Sequence, residues 1–200
     1  MVRSPDRVRL LIGDVRGKGL TAVRTATVVL GEFRSAATQE MSTVALPKRL
    51  DHQLLPYLEN EEDFVTAALV DIEDDGTFHL VVCGHPAPVQ VAGGVPVQLE
   101  PQPSPPLGLG HVPEPLTGSM RPGDRLFLFT DGLIEARTPA GDFHDPTTLW
   151  SLVADRPLHH ALDAVLEDLR AGTAGRLQDD LAMLLVEYDP EARQRTDGGS

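Results

Sequence analysis

Between Val8 and Met41 the hydrophobic period of the chain changes across a glycine-rich run, and this change limits the fold more than any other feature. Val8 to Ile12 is a short, branched apolar run that stops at Gly13 and Asp14, the pattern of a buried strand. Beyond Gly19, residues Leu20, Val23, Thr27, Leu30, Phe33, Ala37 and Met41 recur at steps of three and four, which predicts one face of an amphipathic helix. A strand must therefore hand over to a helix within Gly13-Asp14-Val15-Arg16-Gly17-Lys18-Gly19. Glycine allows tight turns and close approach of backbone to a ligand, and a helix start favours an anion. The run is not a nucleotide-binding P-loop, because Lys18 is followed by Gly19 where Ser or Thr is required.

The rest of the chain alternates strand and helix signals in blocks. A second helix is expected over 44–58, with Pro47 tolerated in its first turn. Phe64 to Ile72 and Thr77 to Cys83 flank the turn Glu73-Asp74-Asp75-Gly76, and Val89 to Ala92 and Val95 to Leu99 flank Gly93-Gly94, so two hairpins are expected. Prolines 101, 103, 105, 106, 113 and 115 exclude a helix or central strand over 101–115. Arg125 to Thr130 reads as a strand, 146–153 and 158–169 as helices, Leu181 to Tyr188 as a last strand, and 189–200 as a solvated tail. Hairpins with segregated helices argue for an α+β layered fold in one domain over 1–188.

Asp and Glu outnumber Lys and Arg by 30 to 17, a net charge of −13. The balance is uneven: residues 1–50 hold 9 bases against 4 acids, a net +5, and residues 51–200 hold 8 against 26, a net −18. A surface this negative disfavours nucleic acid and anionic membranes as partners. Cys83 is the only cysteine, so no internal disulfide or cysteine-rich zinc site can form. The start of the chain lacks the apolar core of a signal peptide, and together these features point to a cytoplasmic protein.

Three acids stand where an apolar strand meets a turn: Asp14, Asp131 after Leu126-Phe127-Leu128-Phe129-Thr130, and Asp179 before the last strand. Rigid strand ends can bring distant carboxylates together. Oxygen ligands without clustered Cys or His suit a hard cation such as Mg²⁺ or Mn²⁺. Taken singly, each aspartate also fits an ordinary turn, where Asp accepts backbone hydrogen bonds. Phe129-Thr130-Asp131-Gly132 lacks the first acid of the D-x-D-G run of aspartyl-nucleophile phosphatases, which excludes that chemistry.

Five motifs occur in order: Gly-Asp-Val-Arg-Gly-Lys-Gly at 13–19, Cys-Gly-His-Pro-Ala-Pro at 83–88, Pro-Pro-Leu-Gly-Leu at 105–109, Phe-Thr-Asp-Gly-Leu-Ile-Glu-Ala at 129–136 and Gln-Asp-Asp-Leu-Ala-Met at 178–183. Together they resemble the bacterial stage II sporulation protein E type of metal-dependent protein phosphatase, a PP2C-like branch. The resemblance spans about Leu10 to Glu187. It implies an αββα sandwich of two mostly antiparallel sheets, a two-metal Mn²⁺ or Mg²⁺ centre, and hydrolysis of phosphoserine or phosphothreonine. By the same resemblance Asp14 bridges the metals, the carbonyl of Val15 is a further ligand, and Asp131 and Asp179 are carboxylate ligands, with Asp180 in a supporting role. The implied substrate is a phosphorylated anti-anti-sigma regulator.

Other residues have two readings. His85 can serve as an acid for the leaving oxygen or simply hydrogen-bond its loop. Arg16 and Lys18 can meet substrate phosphate or form a solvated basic face. Cys83 reads as a core residue with no thiolate activation. The resemblance also implies a Gly-Gly-Asp-x-Tyr-Asp strand upstream, which the residues before Asp14 do not match; Asp6 lacks the glycines and the aromatic. A domain short of its N-terminal strand is therefore expected, with an open sheet edge that favours a homodimer. A non-catalytic module that keeps the fold and binds a regulatory protein is the alternative to an enzyme.

Overall fold

The computed structural model describes residues 1–191 apart from 5, 38, 40–41, 59–62, 111–113 and 176–179. Its strands are β1 (Val2–Arg3), β2 (Arg7–Val15), β3 (Val65–Glu73), β4 (Thr77–Cys83), β5 (Val89–Ala92), β6 (Val95–Gln98), β7 (Leu116–Ser119), β8 (Arg125–Phe129) and β9 (Met183–Glu187). Its helices are α1 (Leu20–Ala37), α2 (Ala45–Leu54), α3 (Asp131–Ile134), α4 (Pro146–Asp155) and α5 (Leu158–Gly172). Every strand pair is antiparallel, in two sheets ordered β1-β2-β3-β4-β7 and β6-β5-β8-β9. Two antiparallel sheets with helices make the α+β class expected from the sequence. Strands β1 and β7 and helix α3 were not legible. The first is two residues long, and β7 is a polar Leu-Thr-Gly-Ser whose Gly118 leaves room for the Phe78 ring.

The chain divides into two compact units, one from 1–85 and 100–119, the other from 86–99 and the chain after 120. In the first, β2 and β3 pair over nine residues, from Arg7 opposite Glu73 to Val15 opposite Val65. Helices α1 and α2 cover one face of this sheet, with Val29, Phe33, Leu46, Leu50, Val65 and Leu69 in a common apolar cluster. The apolar stripe read from the sequence is not the one α1 buries: Leu20, Val23 and Leu30 are 77%, 60% and 43% exposed. Phe33 of that stripe is buried, but its buried companions are Thr25, Val29 and Ala36. The helix carries two overlapping stripes at helical spacing, and only the position of α2 and the sheet selects between them.

An ion pair lies under the helices. Arg9 and Asp71 face each other across β2 and β3, are 2% and 3% exposed, and approach to 3.1 Å between Arg9 Nε and Asp71 Oδ1. Thr43, just before α2, donates its hydroxyl to Asp71 Oδ2 at 2.8 Å. The edge of β2 away from β3 carries only the two residues of β1, at Val2–Arg9 and Arg3–Val8. Asp6, in the turn between them, accepts from Arg7 and Ser4, and these hydrogen bonds lower its pKa to about 2.

In the second unit, Phe127, Phe129, Leu133, Leu149, Val153 and Val165 form the core beneath α4 and α5. The Trp150 ring lies 5.0 Å from that of Phe129. Arg125 joins β9 to the end of α4, donating to Glu187 Oε2 at 2.8 Å and to the carbonyls of Val153 and Arg156, each at 2.7 Å. Asp145 caps α4 by accepting from the Thr147 amide at 2.9 Å, with Pro146 at the first helical position. Asp124 accepts from the amides of Gly93 and Arg121, both at 2.8 Å, and so ties two turns together. The expected tail lies outside the described residues from 192 onward. No described helix is long and apolar enough to cross a membrane.

Removing one member of a buried ion pair leaves an uncompensated charge, at a cost of about 3–5 kcal/mol. Asp71→Ala should lower the urea midpoint accordingly, and Arg9→Met combined with Asp71→Leu should recover most of the loss.

Candidate functional site

Asp14 is not at a strand-to-turn boundary as the sequence suggested; it is the penultimate residue of β2, opposite Thr66. The strand runs through Gly13 because a side chain there is excluded: a Cβ on Gly13 would stand 2.5 Å from the Thr66 carbonyl oxygen. Register parity then decides direction. Val65, Ala67 and Leu69 project toward the helices, so Asp14 and Thr66 project from the opposite face of that sheet. The Thr66 hydroxyl donates to the Asp14 carbonyl at 3.4 Å and lies 2.9 Å from His85 Nδ1. His85 is 7% exposed and ties its loop to β3.

Two further motifs meet at the same strand. Gly84, at φ +61°, lets Pro106 pack where a Cβ would sit, and its amide donates to the Ser104 carbonyl at 2.9 Å. Leu107 and Val65 exchange both backbone hydrogen bonds, at 3.1 and 2.9 Å, and the Gly108 amide donates to Asp51 Oδ1 at 2.7 Å. Residues 104–108 thus form an ordered excursion that pins the start of β3. At the end of β2, the Arg16 amide donates to the Phe64 carbonyl at 3.1 Å and its guanidinium lies 5.1 Å from the Phe64 ring centre. Cys83 is fully buried, and burial, with a smaller contribution from Asp51, pushes its thiol pKa up to about 12.

In the second unit Asp131 opens α3, directly after β8. Thr130 does the local work. Its amide donates to the Ala182 carbonyl at 3.0 Å, its hydroxyl donates to the Asp180 carbonyl at 3.3 Å, and it accepts from the Ala182 amide at 2.9 Å. These bonds hold the segment after Asp179 against Asp131. Asp179 itself lies outside the described residues. Asp131 Oδ1 is buried and has no hydrogen-bond partner among the described residues. A buried carboxylate oxygen is costly unless paired or bound to a metal, so Asp131 suits a hard cation. No three described His, Cys, Asp or Glu side chains form a ready cluster for one. Asp14 and Val15 belong to the first unit, and Asp131 and Asp180 to the second.

The family profile of stage II sporulation protein E (SpoIIE) matches residues 4–189. The chain belongs to that family. No curated protein sequence matches it. Among solved structures, the RsbU and RsbW domains of Rv1364c from Mycobacterium tuberculosis share 25% identity at a TM-score of 0.77, covering 91% of this chain and 52% of that one. The PP2C phosphatase domain of SpoIIE from Bacillus subtilis, with a fragment of its regulatory domain, shares 17% at a TM-score of 0.77, covering 94% and 56%. The catalytic domain of the serine/threonine protein phosphatase PstP, in complex with two manganese ions, shares 15% at a TM-score of 0.67, covering 94% and 93%. The chain thus spans about half the length of the first two. The family and these likenesses agree with the PP2C-like fold expected from the motifs, and the last two neighbours are described as phosphatase domains.

Thr66 and Thr130 were not singled out in the sequence. Thr130 had a signal, a hydroxyl residue directly before a candidate ligand; Thr66 had none, since only the register places it beside Asp14.

Two outcomes check this geometry. Cys83, held protonated by burial, should resist alkylation at mildly alkaline pH in the folded protein and react on unfolding. Gly13→Ala forces β2 away from the Thr66 carbonyl and should cost about 1–3 kcal/mol in denaturant melts, the usual penalty of overpacking.

Proposed function

We propose that residues 1–188 form a divalent-metal-dependent protein phosphatase domain that hydrolyses phosphoserine or phosphothreonine on a regulatory protein of the anti-anti-sigma type. The observation that carries this reading is the buried carboxylate oxygen of Asp131, which has no hydrogen-bond partner among the described residues, within a chain that matches the SpoIIE family over 4–189. Manganese in the PstP structure and the RsbU and RsbW domains of Rv1364c support the metal and the partner class respectively.

Asp131, Asp14, Asp179 and the Val15 carbonyl would hold Mn²⁺ or Mg²⁺, a set made wholly of oxygen donors. Bound metal of this kind lowers the pKa of a water and neutralises charge on phosphoryl oxygens. The chain's own contribution is placement. Thr130 locks Asp131 and the segment after Asp179 to the end of β8. Gly13 and Thr66 hold the Asp14 backbone tightly to β3, so its carboxylate cannot swing with a loop. His85 anchors the Gly84 turn through Thr66, which favours its loop-holding reading over that of an acid.

Asp131→Asn keeps the side-chain shape and removes the charge. It should lower Mn²⁺-dependent hydrolysis of a phosphoserine protein or an aryl phosphate at least about 100-fold, the upper range for disturbing groups around a metal. Equal and negligible rates for both proteins at saturating Mn²⁺ would instead mark the chain as a binding module.

A further inference from the structure

Between α3 and α4 the chain makes a short hairpin. Arg137 and Phe143 pair antiparallel, the Thr138 amide donates to the Asp142 carbonyl at 2.8 Å, and the His144 amide donates to the Ala136 carbonyl at 2.8 Å. Alternation along the hairpin sends Arg137 and Phe143 to one side, where the guanidinium lies 4.1 Å from the Phe143 ring centre, and Thr138 and His144 to the other. The His144 ring rests against Gly172 in the last turn of α5, where a Cβ would run into its Cδ2 and Nε2 atoms. Its Nε2 stands 3.2 Å from Asp168 Oδ2, one turn earlier in α5. From this geometry we infer that His144 and Asp168 form a proton-operated latch, which fastens the hairpin to α5 when His144 is protonated and frees it when His144 is neutral.

The contact is one of charge. Asp168 Oδ2 is buried and, although close to Nε2, lacks the alignment of a hydrogen bond. The other ring nitrogen of His144, Nδ1, is also buried without a hydrogen-bond partner among the described residues. A neutral imidazole so placed does little for the carboxylate, whereas an imidazolium at the same distance offsets its charge. Thr138 Oγ1, on the same side of the hairpin, is a third buried atom with no hydrogen-bond partner among the described residues. Unmatched buried polar atoms weaken the contact they belong to. The seam between hairpin and α5 therefore closes at a cost that the ion pair has to offset, the condition for a contact that one proton can open or shut.

The charges around His144 have the sign that such a latch requires. Asp168 faces it from α5, and Asp145 follows it at the cap of α4. Hydrogen bonds from the Thr147 amide and hydroxyl, with a smaller contribution from the charge of His144, hold the Asp145 carboxyl below its usual range. Asp142 shares the His144 side of the hairpin but is exposed. Glu167 and Arg170 leave α5 roughly 100° and 200° round from Asp168, and Arg137 is engaged with Phe143 on the far side of the hairpin. Imidazole changes charge between about pH 5 and 8, so the latch holds at the acid end of that range and is lost as the pH rises. Its position gives the release a consequence. The hairpin follows α3, which Asp131 opens, and α5 ends in the stretch that leads to Asp179. The latch is a property of packing within the second unit and holds whether or not the domain hydrolyses phosphate esters.

The test follows amide hydrogen exchange in the full chain from about pH 5 to 8, without added divalent metal, and expresses it as protection factors so that the intrinsic pH dependence of exchange drops out. The Thr138 and His144 amides, which close the hairpin, report local opening. Their protection should fall about three- to tenfold as the pH rises, an effect between those of exposed and buried ion pairs. The amides of the β8–β9 ladder should keep theirs, and the His144 ring resonances should titrate over the same interval. Asp168→Asn keeps the side-chain shape and removes the charge, so it should hold both hairpin amides at their low, alkaline level of protection throughout. Gly172→Ala favours the helix itself but displaces the ring, and should act in the same way with the β8–β9 ladder still protected. Protection at Thr138 and His144 that stays constant across this range in the parent, or that falls equally in an Asp168→Asn protein with an intact β8–β9 ladder, would overturn the inference.

Discussion

The nine-residue antiparallel pairing of β2 with β3 sets the position of almost everything of interest in the first unit, because a strand's side chains alternate faces and a slip of one residue would exchange them. In the observed register Arg9 meets Asp71 under the helices and Asp14 meets Thr66 on the other face. Gly13 lies between these positions, where the Thr66 carbonyl leaves no space for a side chain. The buried ion pair then penalises the alternative registers, since a slip would bury one charge without the other. Structural and candidate functional residues therefore alternate along one strand, and the same hydrogen-bond ladder serves both.

The second unit reaches a comparable result by different means. Asp131 is placed by Thr130, whose hydroxyl and amide both engage the segment that enters β9. Arg125 at the other end of β8 closes the same layer through Glu187 and two carbonyls at the end of α4. Polar side chains here substitute for regular ladder bonds where strands end, which is where backbone groups would otherwise lack partners. Among the described residues the buried Asp131 Oδ1 has no such partner.

Charge is sorted along the chain in a way that follows from these roles. The basic excess of the first fifty residues gathers Arg16, Lys18 and Arg24 around the start of α1, whereas most acids lie further on.

Periodicity and turn residues were enough to read the α+β class, both hairpins, the long helix α1 and the strand positions of β3, β4 and β8. Those signals are local, and local signals survive without tertiary context. The glycine-rich junction and the four motifs after it were likewise enough for the family, because all five resemble that family's motifs in the same order. Other features depended on partners distant in sequence. The stripe that α1 buries was set by α2 and the sheet, since Leu20, Val23 and Leu30 are as helical in spacing as Thr25, Val29 and Phe33. Arg9 is a charged residue within an apolar run, and only the register places Asp71 across from it. Thr66 carried no mark in the sequence, because a threonine's role is decided by what its hydroxyl meets, and that is determined only when the chain has folded.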